Sequence, residues 1–139
     1  MKRRITALII DNSETNRYLL NRQMKMLGVR HVFEQNDGST AIAFLEDKVT
    51  NSELFGNDFP PTVIFLDLNM PTMDGFTFLD AYSNANSRLS KLGCAIFVYS
   101  SSDRADNFER AMSHKCVSDF LVKGETSLAQ LQAAIQNIH

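Results

Sequence analysis

The chain has 139 residues, 44% of them hydrophobic and 22% charged, and its 14 basic and 16 acidic side chains leave a formal charge of −2. This is one domain's length with enough apolar material for a core, and neither the balance of charge nor the composition suits a nucleic-acid binder or a disordered chain. Its apolar runs, such as residues 95–99, fall far below the roughly 18 residues of a membrane span. Met1-Lys2-Arg3-Arg4 has the look of a signal-peptide start, but Asp11 closes the apolar stretch too early, so a cytoplasmic protein is expected. Cys94 and Cys116 form no C-x-x-C pair and lie in or beside apolar runs, which favours packing over redox or metal roles. His31, His114 and His139 are scattered and suggest no common site.

The first apolar run, residues 5–10, stops at Asp11-Asn12-Ser13, which supplies turn and capping chemistry. A helix over residues 14–27 follows, with Leu20, Met24 and Leu27 on one stripe and Gly28 as its stop. Residues 1–30 hold seven basic and two acidic groups. That bias reads either as a solvated face or as a surface for an acidic partner. Residues 31–35 make a weaker strand closed by Asn36-Asp37-Gly38, and Ala41, Leu45 and Val49 mark a second helix. Residues 50–61 read as a polar connection ending in Pro60-Pro61.

The strongest strand, residues 63–66, is apolar on both faces and ends at Asp67, as in a central parallel strand covered by helices. Residues 71–75 form a turn, and Phe76, Leu79 and Tyr82 begin a third helix. Residues 95–99 are a second two-sided strand ending in Ser100-Ser101-Ser102. A helix over residues 104–113 leads to a last strand, 117–122, which ends at Lys123-Gly124. Leu128, Leu131, Ile135 and Ile138 mark the final helix. Five strands alternating with five helices predict an α/β fold with a parallel sheet wrapped on both faces.

In such sheets the carboxyl ends of the strands converge on one edge, where ligands bind. Here they carry Asp11-Asn12, Asp67, Ser100 and Lys123. Each residue has an ordinary explanation: a helix cap for Asp11, a turn for Ser100, a solvated ammonium for Lys123. Four chemically useful side chains at four matching strand ends are harder to explain that way. Two carboxylates suit a hard cation such as Mg²⁺. A cation and a lysine beside a carboxylate suit phosphoryl transfer, with an aspartate as nucleophile.

These residues resemble the receiver domain of two-component response regulators. The match runs through Ile9-Ile10-Asp11-Asn12, Phe65-Leu66-Asp67-Leu68-Asn69-Met70-Pro71-Thr72-Met73-Asp74-Gly75, Tyr99-Ser100-Ser101-Ser102-Asp103 and Phe120-Leu121-Val122-Lys123. The resemblance implies a flavodoxin-like (βα)5 three-layer sandwich with strand order 2-1-3-4-5, a receiver domain over residues 1–139 and no output domain. It implies that Asp67 accepts a phosphoryl group from a histidine kinase or histidine phosphotransfer protein. It also implies a downstream protein that binds in a phosphorylation-dependent way, and no independent enzymatic substrate. Asp11, Asp67 and the backbone carbonyl of Asn69 would hold Mg²⁺, with Asn12 reaching it through water. Ser100 and Lys123 would contact the phosphoryl group, Ser100 and Phe120 would form the switch, and Asn69 and Ser102 would tune dephosphorylation. Met70, Pro71, Asp74 and Gly75 read as loop geometry, and Arg17, Arg22 and Lys25 on the first helix as a place for a histidine-bearing helix to dock.

Two residues depart from that pattern. Gly124 follows the lysine where the family commonly has a cis proline; a cis bond before glycine would cost about 2.5–4 kcal/mol, so a trans Lys123-Gly124 bond is expected. A one-residue insertion is also expected between Ala111 and Phe120. Asn12 stands where a second acid is usual. One charge at about 5 Å from Mg²⁺ is worth about 6–7 kcal/mol gross at an effective dielectric near 20, most of it offset by desolvation. A receiver-like binding module that works without phosphorylation is therefore the alternative. A dehalogenase-type phosphatase is disfavoured because Asn69 cannot serve as its proton donor; a flavodoxin lacks its phosphate cradle in residues 12–16, and no P-loop motif is present. In a Mg²⁺ titration Asn12→Asp should bind more tightly than the natural chain; equal affinities would show that the missing charge is of no consequence.

Overall fold

The computed structural model describes residues 5–70, 73–84, 87–101 and 105–138. Five parallel strands, β1 (Thr6–Ile10), β2 (His31–Gln35), β3 (Val63–Leu66), β4 (Ala95–Ser100) and β5 (Val117–Val122), lie in the order β2-β1-β3-β4-β5. This is the expected 2-1-3-4-5 sheet. Six α-helices are present among the described residues: α1 (Glu14–Met26), α2 (Gly38–Glu46), α3 (Lys48–Phe55), α4 (Gly75–Ser83), α5 (Ala105–Met112) and α6 (Leu128–Gln136).

Alternation along the strands divides the core in two. Ala7, Ile9, Val63, Phe65 and Phe97 pack with Leu20 and Met24 of α1 and Leu131 and Ile135 of α6. Leu8, Ile10, Ile64, Leu66, Ile96 and Val98 face the other way, against α2, α4 and Ala111 of α5. Because both faces of β1 and β3 are covered, β3 is apolar throughout and β1 is apolar from Ala7 onward. Cys94 belongs to the second layer and Cys116 packs against it; both are free thiols, and burial pushes Cys94 up to about 11 and raises Cys116 as well. They are packing residues.

The stretch between α2 and β3 departs from expectation. It is not a polar connection: α2 stops at Glu46, Asp47 accepts from the Thr50 N–H at 3.3 Å, and α3 begins at Lys48. Val49 is 72% exposed and does not extend the apolar stripe of α2. The Asn51 amide donates to the Phe44 carbonyl at 2.6 Å, satisfying the end of α2. Phe55 then packs on Phe33, with ring centroids 4.9 Å apart.

Between β4 and β5 the register slips, with Ile96 opposite Val117 and Phe97 opposite Asp119. Ser118 is the extra residue, a β-bulge in the segment where an insertion was expected. The Lys123–Gly124 peptide is trans, and Gly124 takes φ 80°, a left-handed conformation that glycine tolerates.

Two close approaches fix the loop after β3. A Cβ on Gly75 would sit 2.6 Å from the Asp67 carbonyl oxygen and 2.8 Å from the Leu68 Cα, both backbone atoms. Asp74 caps α4 by accepting from the Thr77 N–H at 2.8 Å. From the neighbouring loop, Asp37 accepts from the N–H groups of Ser39 and Met73, each at 3.2 Å. Pro71 and Thr72 lie outside the described residues. Overpacking against backbone cannot be relieved by a rotamer change. Gly75→Ala should therefore lose about 2–3 kcal/mol in urea unfolding, and a loss below about 0.5 kcal/mol would show that the loop yields.

Candidate functional site

The topology brings the predicted side chains to one edge. Asp11 follows β1, Asp67 follows β3, Ser100 ends β4 and Lys123 follows β5. Backbone bonds join these ends: Asp67 N–H donates to the Ile10 carbonyl at 2.9 Å, and Lys123 N–H to the Ser100 carbonyl at 2.8 Å. Asp11, Asp67 and Ser100 are all buried, at 4%, 5% and 0% exposure.

Lys123 joins the two acids. Its Nζ donates to Asp11 Oδ2 at 2.5 Å and lies 3.4 Å from Asp67 Oδ1. Asp11 Oδ1 accepts from the Ser13 N–H at 2.9 Å, so its two oxygens have different partners. Burial pushes the Asp67 carboxyl above the ordinary value of 3.8; Lys123 opposes that shift, Asp11 adds to it, and a hydrogen bond from the Asn69 N–H opposes it. Asn12 and Asn69 are both exposed beside the acids.

The donor set fits a hard divalent cation. Two desolvated carboxylates of like charge share one ammonium, and the neighbouring Asn12 amide and Asn69 carbonyl would be the neutral oxygens available to join them. Among the described residues no group of three His, Cys, Asp or Glu is placed to hold a metal, in keeping with an amide at position 12.

Phe120, on β5, is half-buried and meets Phe108 of α5 edge to face, with centroids 5.6 Å apart. Phe108 is 47% exposed, so this aromatic pair reaches the surface. Ser102 lies outside the described residues. The histidines stay apart: His114 contacts Asp80 at 2.7 Å, His31 lies 3.6 Å from Asp58, and His139 is outside the described residues.

Arg17 was expected on a docking surface, and the structure turns it inward. Its Nη1 donates to the Asp11 carbonyl at 2.7 Å and its Nε to Glu34 Oε1 at 3.2 Å. Arg17 stands three residues before Leu20 on the stripe that continues to Met24, and that spacing is the signal in the sequence that it faces the sheet. Tyr99 was also not foreseen; its ring centroid is 6.0 Å from Lys123 Nζ.

The sequence model for the response regulator receiver domain matches residues 7–136. The chain belongs to that family. Receiver domains are the phosphoacceptor components of two-component signalling. A curated relative, the probable chemotaxis protein CheY of Rhizobium etli, is 29% identical over 103 residues, covering 73% of this chain and 69% of the relative. Among solved structures, a two-component response regulator from Cytophaga hutchinsonii superposes with TM-score 0.79 at 19% identity, covering 99% of this chain and 98% of the other. CheY4 of Vibrio cholerae gives TM-score 0.75 at 20% identity, covering 99% and 100%. The Mn²⁺-bound form of response regulator Rcp1 is 26% identical with TM-score 0.68, covering 96% and 91%. No helix among the described residues of this receiver domain is long and apolar enough to cross a membrane.

Because its carboxyl is raised, Asp67 binds its proton more tightly in the folded than in the unfolded chain. Stability therefore falls as pH rises from the unfolded value through the folded one. Asp67→Asn removes that titrating group. It should flatten the decline of stability with rising pH and raise Tm on the alkaline side of that decline; an unchanged or lower Tm there would contradict the sign.

Proposed function

We propose that this receiver domain takes a phosphoryl group on Asp67 from the phosphohistidine of a histidine kinase or phosphotransfer protein and signals through a phosphorylation-dependent protein contact. The observation carrying the proposal is the contact of one ammonium, Lys123 Nζ, with both buried carboxylates. An Asp67 carboxylate oxygen attacks phosphorus, a P–O bond forms, and the P–N bond to the donor imidazole breaks. The released imidazole takes up a proton from solvent.

Asp11, Asp67 and the Asn69 carbonyl would hold Mg²⁺, with Asn12 contributing through water; when bound, the ion neutralises charge on the phosphoryl oxygens. The Mn²⁺-bound form of the related Rcp1 supports a divalent site. Lys123 then pairs with a phosphoryl oxygen, and the Ser100 hydroxyl donates to another. Movement of Ser100 makes room for Phe120 and disturbs its contact with Phe108 on the surface of α5. Asn69 and Ser102, at the positions that tune dephosphorylation in this family, would set the lifetime of the phosphorylated form.

The donor would approach over α1, where Tyr18, Leu19 and Met26 are exposed beside Arg22 and Lys25. A cleft lined by Leu19, Gln23, Met26, Tyr99 and Lys123 leads from that helix towards the acids. This role belongs in the cytoplasm and involves neither nucleic acid nor membrane.

Incubation with Mg²⁺ and a small phosphodonor, followed by mass spectrometry, tests the proposal. The chain should gain the mass of one phosphoryl group, Asp67→Asn should gain none, and Lys123→Ala should gain it at least tenfold more slowly. A chain that binds Mg²⁺ yet never gains the group would favour a binding module that works without phosphorylation, the reading to which Asn12 lends weight.

A further inference from the structure

β1 is paired through Ile10, which stands opposite Gln35 of β2 and Leu66 of β3. Asp11 is the first residue beyond those pairs, and its main chain must stay in place if its carboxylate is to face Asp67. Its N–H donates to the Gln35 carbonyl at 3.1 Å. Its carbonyl accepts from Arg17 Nη1 at 2.7 Å, so a side chain from α1 stands where a strand partner would.

Arg17 is itself held. Its Nε donates to Glu34 Oε1 at 3.2 Å, and Asn21, one turn further along α1, donates to Glu34 Oε2 at 2.9 Å. Glu34 lies on β2 opposite Ile9. Arg17 is only 17% exposed while Glu34 is 38% exposed, so the bond to Asp11 is the sheltered end of the chain of contacts. Charge-assisted bonds of this kind are stronger than neutral ones, and the planar guanidinium fixes direction as well as distance.

We infer that Arg17 is a positioning residue: braced by Glu34 and Asn21, it holds the Asp11 main chain so that the Asp11 carboxylate points at Asp67 and Lys123. It touches neither the phosphoryl group nor the metal in this assignment. The inference rests on the proposed function for its link to Mg²⁺. Outer partners of metal-binding carboxylates change affinity by about 10–100-fold when removed, and with two acids in the site the orientation of each matters more.

The test is a titration with Mg²⁺ alone, followed by the amide NMR shifts of Asn12 and Asn69, beside amide hydrogen exchange of residues 11–13 without metal. Arg17→Met should weaken Mg²⁺ at least tenfold and speed exchange at residues 11–13. Arg17→Lys should recover part of the affinity, and Glu34→Gln, which leaves the guanidinium in place, should give an intermediate loss in a folded chain. If Arg17→Met and Glu34→Gln lower Tm but bind Mg²⁺ as tightly as the natural chain, the brace only anchors α1 and the inference is overturned. If the natural chain binds no Mg²⁺, the metal reading under the proposed function fails, and exchange at residues 11–13 decides the positioning role: unchanged exchange in both variants overturns it.

Discussion

A single lysine makes this site possible. Asp11 and Asp67 are buried side by side at the end of a sheet whose core is apolar, and like charges withdrawn from water resist sharing a pocket. Lys123 Nζ lies against both. Each such contact is worth on the order of 5–7 kcal/mol gross at an effective dielectric near 20, set against the desolvation of three charged groups. The balance stays incomplete at Asp67, whose carboxyl is still displaced upward. Two carboxylates against one ammonium leave the site with an excess of negative charge.

The rest of the fold keeps those three groups in register. Parallel strands end at one edge, so residues distant in sequence arrive together without a loop having to reach for them. The bare Cα of Gly75 lets the start of α4 lie against the backbone that carries Asp67. Asp37 ties the loop after β2 to the loop that begins at Asp67, through the Met73 N–H. Burial would raise the Asp37 carboxyl, but hydrogen bonds from Ser39 and Met73 outweigh it and hold the group below its ordinary value. Each tie removes a freedom that would otherwise blur the geometry at the edge.

What could be read from the sequence is what hydrophobic periodicity encodes. β3 and β4 are apolar on both faces because both faces are covered, and the polar residues at their ends stand out for that reason. The acids, the serine and the lysine were legible as a set, since they close strands whose covered central stretches are apolar. α3 was not legible: Val49 continues the spacing of Ala41 and Leu45, and nothing in that spacing shows that Asp47 ends one helix and caps the next. Arg17 was hidden because a charged residue on a basic helix is usually solvated, and only its place in the stripe with Leu20 and Met24 says otherwise. Ser118 was foreseeable only as an extra residue, because sequence periodicity does not say which strand absorbs it.

That extra residue bears on how the molecule avoids its own kind. β5 is one of the two edge strands of the sheet, and an edge strand with regular, unpaired backbone groups is a template on which another chain can add. The bulge at Ser118 breaks the repeat that an incoming strand would have to match. One residue further on, the Asp119 carboxylate accepts from the Phe120 N–H at 2.8 Å and carries an exposed negative charge. An irregularity that looks like a defect in pairing thus protects the open side of the sheet from aggregation.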